Sequence, residues 1–271
     1  MIRWLIISIC IFFSFNGEAQ NIYDLNHTKR YADYLYSSKE YKRAALEYER
    51  ALFMGCKDSS VYMNFFKSLR ISGSPDLGKS VLRDFMANNQ VCQPGVSDEY
   101  IKLMLSRRSF VTADSLIKQW NPYSKDFLRA SSFVLQRKYK DFDSLYSGNN
   151  MHDESLKGIK LKVEDITNVK LKSPLLAASM SIVIPGTGKM YYGDWKDGFV
   201  SLLIVAANAW QSYRGFSKKG SDSAYGWIFA GVSLGFYSGN IWGTWKGTKR
   251  RNKRLLEEKY YNAEEYIYNN F

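Results

Sequence analysis

The sequence predicts an all-α protein in which a helical-repeat solenoid precedes a membrane-embedded helical hairpin of two or three segments. Three observations predict this fold: a short apolar leader, apolar residues at helical spacing in the first half, and long glycine- and tryptophan-containing apolar stretches in the last third. The expected organisation is a signal peptide at 1–19, a repeat domain at 20–150, a basic linker at 151–172, a transmembrane domain at 173–248 and a basic amphipathic tail at 249–271.

The chain opens with the pattern of a signal peptide. Arg3 supplies a positive start, and the apolar run from Trp4 to Phe15 is about a dozen residues long, which is typical of an exported protein. Small residues ending at Ala19 favour cleavage before Gln20. An uncleaved anchor helix is disfavoured, because crossing a bilayer takes about 20 apolar residues. We therefore expect an exported mature chain.

Export leaves Cys56 and Cys92 in a compartment where disulfides persist. Each follows the predicted second helix of a repeat. Equivalent positions in stacked helical pairs usually lie too far apart for a bridge, whose Cα atoms must approach within about 7 Å. Two separate buried thiols are favoured, and the pairing stays open.

One helical pair between Thr28 and Met54 carries a repeat signature. Small residues stand where two helices would cross, and aromatic residues stand where they would fill the space between pairs. The residues in this register are Ala32, Tyr41, Ala44, Tyr48 and Ala51. The register resembles a tetratricopeptide repeat, and the match is specific for this one repeat.

Later pairs are degenerate. Apolar residues at helical spacing predict three further pairs, whose first helices contain Tyr62, Tyr100 and Phe127. One pair cannot bury its own apolar face, so a stack of three or four pairs is expected. Such stacks typically present a concave surface to a peptide or protein. A rigid spacer is the alternative role for this domain.

Three apolar stretches follow at 174–192, 198–213 and 224–245, and the first is broken by Pro185 and Gly186. Tryptophans near the ends of these stretches, with basic residues just outside, favour a membrane over a buried soluble helix pair. Those tryptophans are Trp210, Trp227, Trp242 and Trp245. Regularly spaced glycines in the last stretch predict close packing against another helix. They are Gly226, Gly231, Gly235, Gly239 and Gly243.

The most distinctive motif runs from residue 185 to residue 198. It is made by Pro185, Gly186, Gly188, Tyr191, Gly193, Trp195 and Gly198. This spacing resembles the signature of a family of small bacterial transmembrane hairpin domains of unknown function, and the resemblance covers residues 173–248. Lys189 stands where glutamine is commoner in that family. The resemblance implies a hairpin that often follows a signal peptide, sometimes with tetratricopeptide repeats, and it implies no chemistry. A phosphate-binding loop is excluded, because Val183 and Met190 occupy two of its required positions.

The formal net charge of +12 requires an anionic partner or a role in topology. The densest basic run follows an apolar stretch and comprises Lys249, Arg250, Arg251, Lys253 and Arg254. This position favours anionic lipid headgroups over nucleic acid. Three crossings would place this run in the cytoplasm, as the positive-inside rule prefers. A re-entrant first segment would instead leave it in the periplasm. The charge of the run favours three crossings.

No residue pattern indicates an enzyme. His27 and His152 have no ligand-like spacing to cysteines or carboxylates, and no serine lies in a nucleophile-elbow context. No catalytic, metal or cofactor site is therefore predicted. The polar residues inside the apolar stretches are expected to hold helices together rather than to bind a ligand. They are Lys189, Asn208, Gln211 and Asn240.

These patterns favour a membrane-anchored, periplasm-facing adaptor or scaffold for protein–protein interaction in the cell envelope. The expected location is the inner membrane of a Gram-negative bacterium, and the expected partners are envelope proteins and anionic lipids, not nucleic acid. The alternative is a small channel, transporter subunit or lipid-interacting protein in which the transmembrane segments carry the function.

Overall fold

A computed structural model describes residues 24–74, 77–87, 94–148 and 153–271 of the chain. All regular elements in these ranges are helices, which confirms the all-α prediction. The chain divides into two compact units, residues 1–150 with Phe271, and residues 151–270. The predicted signal peptide lies outside the described residues, as do Cys92 and His152. Cys56 is buried.

Eight helices of the first unit are described, and they pack largely as consecutive neighbours, with α3 also against α5 and α5 against α7. The helices are α1 (Leu25–Ser37), α2 (Tyr41–Phe53), α3 (Ser59–Ser72), α4 (Lys79–Ala87), α5 (Pro94–Ser106), α6 (Phe110–Trp120), α7 (Lys125–Leu135) and α8 (Tyr139–Gly148). Side chains of α3 and α4 meet edge to face at Phe66 and Phe85, with ring centroids 5.0 Å apart. The arrangement is consistent with the predicted helical repeats.

A single type of turn recurs inside three of these pairs. At its centre a basic residue adopts a left-handed conformation, with φ of 63° at Lys39, 57° at Arg108 and 60° at Arg137. Each of these residues donates its backbone N–H to a carbonyl three residues earlier, over 2.9–3.0 Å. An aromatic residue two positions later opens the next helix in every case: Tyr41, Phe110 and Tyr139. The pairs are therefore equivalent in backbone geometry, although their small-residue signature is not conserved along the chain.

The first repeat is organised around Tyr48, which is fully buried. Its hydroxyl donates to Asp33 Oδ1 over 2.6 Å and accepts from Asn64 Nδ2 over 3.3 Å, so it links α1, α2 and α3. Burial, and then the bond to the Asp33 carboxylate, raise the pKa of Tyr48. Tyr41 is half-buried, and its ring packs edge-on against Tyr36 with centroids 5.5 Å apart. The small residues of the predicted register are all buried: Ala32, Ala44 and Ala51.

The second unit contains five α-helices and a short 3-10 turn at Gly220–Asp222. The helices are α9 (Glu154–Thr167), α10 (Pro174–Val183), α11 (Thr187–Tyr192), α12 (Trp195–Lys219) and α13 (Ala224–Asn269). The 46-residue α13 is the axis of the unit, since α9, α10, α11 and α12 all pack against it. Among the described residues, no helix combines the length and the apolar character needed to cross a membrane.

The two segments expected to be a linker and a surface tail pack against each other. Residues 151–172 contain α9, and residues 249–269 continue α13 without a break. Tyr266 donates its hydroxyl to the Ser155 carbonyl over 3.4 Å, and Lys259 lies 3.8 Å from the Asp165 carboxylate. Large apolar residues of both helices are buried here, as in a water-soluble helix pair: Leu156, Ile159, Val163, Ile166, Tyr260 and Ile267.

Candidate functional site

The motif at 185–198 reverses the chain directly after α10. Ile184 is extended with φ −133°, the conformation favoured by the proline that follows it, and Gly186 then takes φ +90°. The Thr187 hydroxyl lies 2.7 Å from the carbonyl oxygen of Met180 and 2.8 Å from that of Ile184. It therefore satisfies the end of α10 where Pro185 cannot continue the helix.

Three motif glycines allow backbones to touch. A Cβ on Gly186 would overlap the carbonyl oxygen of Gly198, and a Cβ on Gly198 would lie 2.6 Å from that of Gly186. A Cβ on Gly188 would overlap the carbonyl oxygen of Ala177. Helices α10, α11 and α12 therefore meet through main chain, and no larger residue fits at these positions.

The rest of the motif ends α11 and begins α12. Gly193 adopts φ +106° in open space, and its N–H bonds the Met190 carbonyl over 3.0 Å, so conformation rather than crowding requires glycine. Trp195, the first residue of α12, is exposed. Tyr191 is half-buried, and Lys172 Nζ lies 4.6 Å from the centre of its ring.

The path of α10 along α13 is fixed by hydrogen bonds at both of its ends. Near its start, the backbone of Lys172 pairs with the Asn252 side chain through bonds of 3.1 and 2.7 Å. Near its end, the Ile182 carbonyl accepts from the Tyr237 hydroxyl over 2.6 Å. The contact on α13 moves from residue 252 to residue 237, so α10 runs antiparallel to α13.

Helix α11 then returns along the same face. Ser181 on α10 and Gly188 on α11 both reach Thr244, since the two hydroxyl oxygens are 3.1 Å apart and a Cβ on Gly188 would lie 2.6 Å from Thr244 Cγ2. Further on, the Tyr192 hydroxyl lies against Gly247. The pair α10–α11 is thus a re-entrant turn that enters and leaves at the same end of α13.

The first apolar stretch is therefore not one continuous helix. The ten-residue α10 is about 15 Å long, and the chain reverses after it because Pro185 ends the helix and Gly186 accepts a positive φ. The number of membrane crossings stays a prediction.

Helices α12 and α13 pack as an antiparallel pair joined by the turn at Gly220–Asp222. Ser233 donates its hydroxyl to the Val205 carbonyl over 3.3 Å, and Ser212 donates to the Gly226 carbonyl over 2.9 Å. A Cβ on Gly215 would lie 2.7 Å from Gly226 Cα, so the helices are closest near their connecting turn.

Of the five glycines expected to bring α13 close to another helix, Gly226 alone does so. A Cβ at any of the other four would meet nothing within 4 Å. The prediction was wrong for Gly231, Gly235, Gly239 and Gly243. The reason is the side of α13 that faces the neighbouring helices. Hydroxyl and amide residues such as Ser233 and Asn240 occupy that buried side, whereas these glycines recur every four residues on an exposed side.

In residues 173–248, here called the hairpin, burial is inverted relative to a water-soluble protein. The fully buried side chains are small or polar, among them Ser181, Thr244 and Thr248. Large apolar side chains point outward, with Val183 80% exposed and Leu234 66% exposed. The other outward residues include Leu175, Phe199, Val200, Leu203, Ile228 and Phe236. Large apolar side chains exposed in this number are characteristic of a surface covered by lipid or by another protein.

Aromatic and basic side chains of α13 lie together where its exposed apolar residues end. Trp242 and Trp245 stack with ring centroids 5.4 Å apart. Lys246 Nζ lies 5.0 Å from the centre of the Trp242 ring, and Lys249 Nζ lies 3.7 Å from that of Trp245. Four residues of the predicted basic run are exposed and one, Arg251, is half-buried: the exposed ones are Lys249, Arg250, Lys253 and Arg254.

A cavity of about 220 Å³ lies between α11, α12 and α13. Lys189 Nζ donates to Ser201 Oγ over 2.9 Å, and the Ser201 hydroxyl donates to the Asp197 carbonyl over 2.7 Å. Asn240 is only 6% exposed, and neither its amide nitrogen nor its amide oxygen has a hydrogen-bond partner. The cavity is lined by Lys189, Ser201, Ile204, Val205, Gly235, Phe236, Gly239 and Asn240.

Two of the four polar residues expected to join helices therefore meet at one cavity. Of the others, Asn208 donates to the Ile204 carbonyl over 2.8 Å on its own helix, and Gln211 accepts from the Tyr225 hydroxyl over 2.9 Å. Lys189 and Gln211 therefore join helices as expected, Lys189 linking α11 to α12 and Gln211 linking α12 to α13. Further residues that join helices were not singled out from the sequence. They are Ser181, Tyr237, Thr244 and Asn252, and no local signal marks them, because their partners are distant in the chain.

Comparison of the chain with protein-family models, curated proteins and solved structures finds no match in any of the three. The likeness to tetratricopeptide repeats and to the bacterial hairpin domains stays a prediction. In the described part of the chain, no group of three or more histidine, cysteine, aspartate or glutamate side chains is placed to hold a metal ion.

Proposed function

We propose that the chain is a membrane-anchored adaptor or scaffold for protein–protein interaction in the cell envelope, and that it is not an enzyme. The repeat domain faces the periplasm, and the hairpin, residues 173–248, sits in the inner membrane of a Gram-negative bacterium. The observation that carries the proposal is the inverted burial of the hairpin, whose polar residues point inward and whose large apolar residues point outward.

The change in burial along α13 supports a membrane boundary. Around Tyr260 and Ile267, α13 buries large apolar side chains against α9, as a helix in water does. In the part of α13 that precedes the basic run, large apolar side chains are instead exposed. From Trp227 to Trp245 the helix rises about 27 Å, close to a hydrocarbon thickness of about 30 Å. Glycines, serines and threonines on the buried side lower the mean hydropathy of each whole helix below that of its exposed side.

The first unit supports the adaptor role. Stacked helical pairs typically offer a continuous surface to peptides or proteins. On α1, Tyr31 and Tyr34 stack with ring centroids 6.5 Å apart, and each is more than half exposed. Tyrosines that present a rigid apolar ring and a polar tip are characteristic of protein interfaces.

Membrane fractionation tests the anchor. We expect the full chain to stay with the membrane after an alkaline carbonate wash. Leu234→Lys places a charge on the outward face of α13 and should release a substantial fraction, because a lysine in the hydrocarbon costs about 2.5–3.5 kcal/mol. The control is Leu161→Lys on α9, since Leu161 is equally exposed at 63% but lies outside the hairpin. Wild-type protein in the soluble fraction would contradict the anchor.

In-cell crosslinking tests the adaptor. A photo-crosslinking amino acid replaces Tyr31 or Tyr34 in the full chain, and irradiation should give a discrete adduct with an envelope protein. The control position is Lys39, an exposed residue at the turn that follows α1. Adducts that form equally at Lys39, or at none of these positions, would count against a specific binding surface on α1.

A second candidate function is a small channel, transporter subunit or lipid-interacting protein. It is favoured by the cavity at Lys189 and Asn240, which lies inside the proposed membrane part. Replacing residues 173–248 with an unrelated helical hairpin distinguishes the two functions. If the chain with the replaced hairpin restores the wild-type phenotype to a deletion strain, the segments serve only as an anchor and the second candidate fails.

A further inference from the structure

We infer that the cavity between α11, α12 and α13 binds a phosphate group, and specifically the phosphate of an anionic lipid headgroup that carries a hydroxyl. The identity of the lipid as the source rests on the proposed membrane location, whereas binding of a phosphate does not. The site comprises Lys189, Ser201 and Asn240, with Gly235 and Gly239 on its open side.

The unused hydrogen-bonding groups define the ligand. An ammonium carries three donors, and Lys189 uses one of them on Ser201 Oγ. The Ser201 hydroxyl is itself committed to the Asp197 carbonyl. The Asn240 amide contributes two further unused donors and one unused acceptor. Four donors, two of them from a cation, fit the oxygens of a phosphate, and the single acceptor fits a hydroxyl beside it.

The buried amide is the second, independent indication of a ligand. A buried polar group without a partner costs about 1–3 kcal/mol, so its amide should have a partner in the working protein. Lys189 makes no ion pair among the described residues, although Asp194 and Asp197 follow it closely in the sequence. Its charge is therefore available to an anion from outside the chain.

The glycines give the ligand room. A Cβ at Gly235 or Gly239 would meet nothing within 4 Å, so the wall of the cavity is open at both positions. Along α13, Asn240 lies five residues before Trp245, a rise of about 7.5 Å. That depth is within reach of a headgroup held at the tryptophan level, with the Lys189 stem extending toward it.

Binding is measured on the full chain in mild detergent, with phosphatidylglycerol, phosphatidylcholine and inorganic phosphate as separate probes. We expect saturable binding of phosphatidylglycerol by native mass spectrometry. Lys189→Gln should weaken it about tenfold, the loss of a charge-assisted bond of about 1.4 kcal/mol. The control is Lys246→Gln, because Lys246 lies over Trp242 and not at the cavity.

Two further variants separate binding from structure. Asn240→Ala should also weaken phosphatidylglycerol binding about tenfold, while leaving the thermal unfolding midpoint unchanged or higher, because it removes an unpartnered amide. If Asn240 served only to pack helices, the midpoint would fall and binding would not. Gly239→Val keeps every polar group and fills the open side of the cavity, so it should block binding without unfolding the protein.

The probes decide the source of the phosphate. Binding of phosphatidylglycerol alone supports a lipid headgroup, and equal binding of inorganic phosphate supports a free oxyanion at the same site. Phosphate binding by a chain that fails the carbonate wash would support the site and overturn the proposed membrane anchor. Binding that is equal for phosphatidylglycerol and phosphatidylcholine, or unchanged in Lys189→Gln, Asn240→Ala and Gly239→Val, would overturn the site.

Discussion

At the scale of single residues, three glycines of the second unit have different reasons to be glycine. Gly188 is buried against the α10 backbone, Gly193 has a positive φ in open space, and Gly231 has neither constraint. The sequence shows only the spacing of these residues. Contact with a neighbouring main chain, or a required backbone angle, separates the irreplaceable glycines from the replaceable ones.

A pair of alanine substitutions tests this distinction. Gly188→Ala should destabilise the full chain by about 1–3 kcal/mol, because the new methyl group overlaps the Ala177 carbonyl oxygen. Gly231→Ala meets nothing within 4 Å and should be neutral or stabilising by up to about 1 kcal/mol, since alanine favours the helix. Thermal unfolding in detergent measures both. Equal midpoints for the two variants would refute the close contact at Gly188.

The ion pair between Lys29 and Asp58 predicts a pH dependence in the first unit. The Lys29 ammonium, followed by the Ser60 backbone N–H, lowers the pKa of Asp58 to about 2, below its ordinary value of about 3.9. A carboxyl with a lowered pKa stabilises the fold above its unfolded value, and this contribution is lost as the pH falls from about 4 through 2. Because both side chains are about one-third exposed or more, solvent screening limits the effect to about 0.5–1 kcal/mol.

Asp58→Asn isolates this effect, since asparagine still caps α3 but carries no charge. The difference in unfolding midpoint between wild type and Asp58→Asn should be present at pH 6 and be mostly lost at pH 2, where Asp58 is about half protonated in the folded state. A difference that stays constant over this range would show that the ion pair does not stabilise the fold.

At the scale of elements, the repeated turn explains how degenerate repeats keep one geometry. Lys39, Arg108 and Arg137 all adopt a left-handed conformation, and an aromatic residue opens the helix that follows. In sequence these turns share only a basic residue two positions before an aromatic. That pattern is too weak to find by inspection, although the helices on either side were predicted from their apolar spacing.

Lys39 tests the turn. Lys39→Gly should stabilise the first unit by about 0.5–1 kcal/mol, because a left-handed residue with a Cβ is strained by about 1–2 kcal/mol. Lys42→Gly, three residues away inside α2, should instead destabilise it by about 1 kcal/mol. Both lysines are exposed, so lost contacts do not complicate the comparison. Thermal unfolding of the full chain resolves the sign, and a loss of stability in Lys39→Gly would contradict the assigned turn.

At the scale of the molecule, the two units bury different kinds of residue. The first buries large apolar side chains such as Phe65 and Leu128, whereas the hairpin of the second buries hydroxyl groups and glycine. Within the second unit, α9 and the end of α13 follow the rule of the first. These contrasts favour water around the repeats and around α9, and lipid around the hairpin.

The re-entrant turn predicts membrane topology. Since α10–α11 returns to the end it started from, α9 and residues 249–271 should lie on one side and the turn at Gly220–Asp222 on the other. The predicted export signal would place the α9 side in the periplasm, although the basic run on that side opposes this by the positive-inside rule. A periplasmic reporter should be active when fused after Phe271, and a cytoplasmic reporter when inserted at Ser221. Both sites on one side would contradict the two-helix hairpin.

The sequence by itself determined the helical class, the approximate positions of the helices other than α9, and the break at Pro185, because these depend on local propensity and on the period of apolar residues. It also placed Lys189 and Asn240 among the notable polar residues. Only the tertiary structure decided that α10 turns back, that Gly188 touches a backbone while Gly231 does not, and that Lys189 and Asn240 share a cavity. Those facts depend on the rotation and depth at which helices distant in the chain meet, and neither quantity is encoded in local spacing.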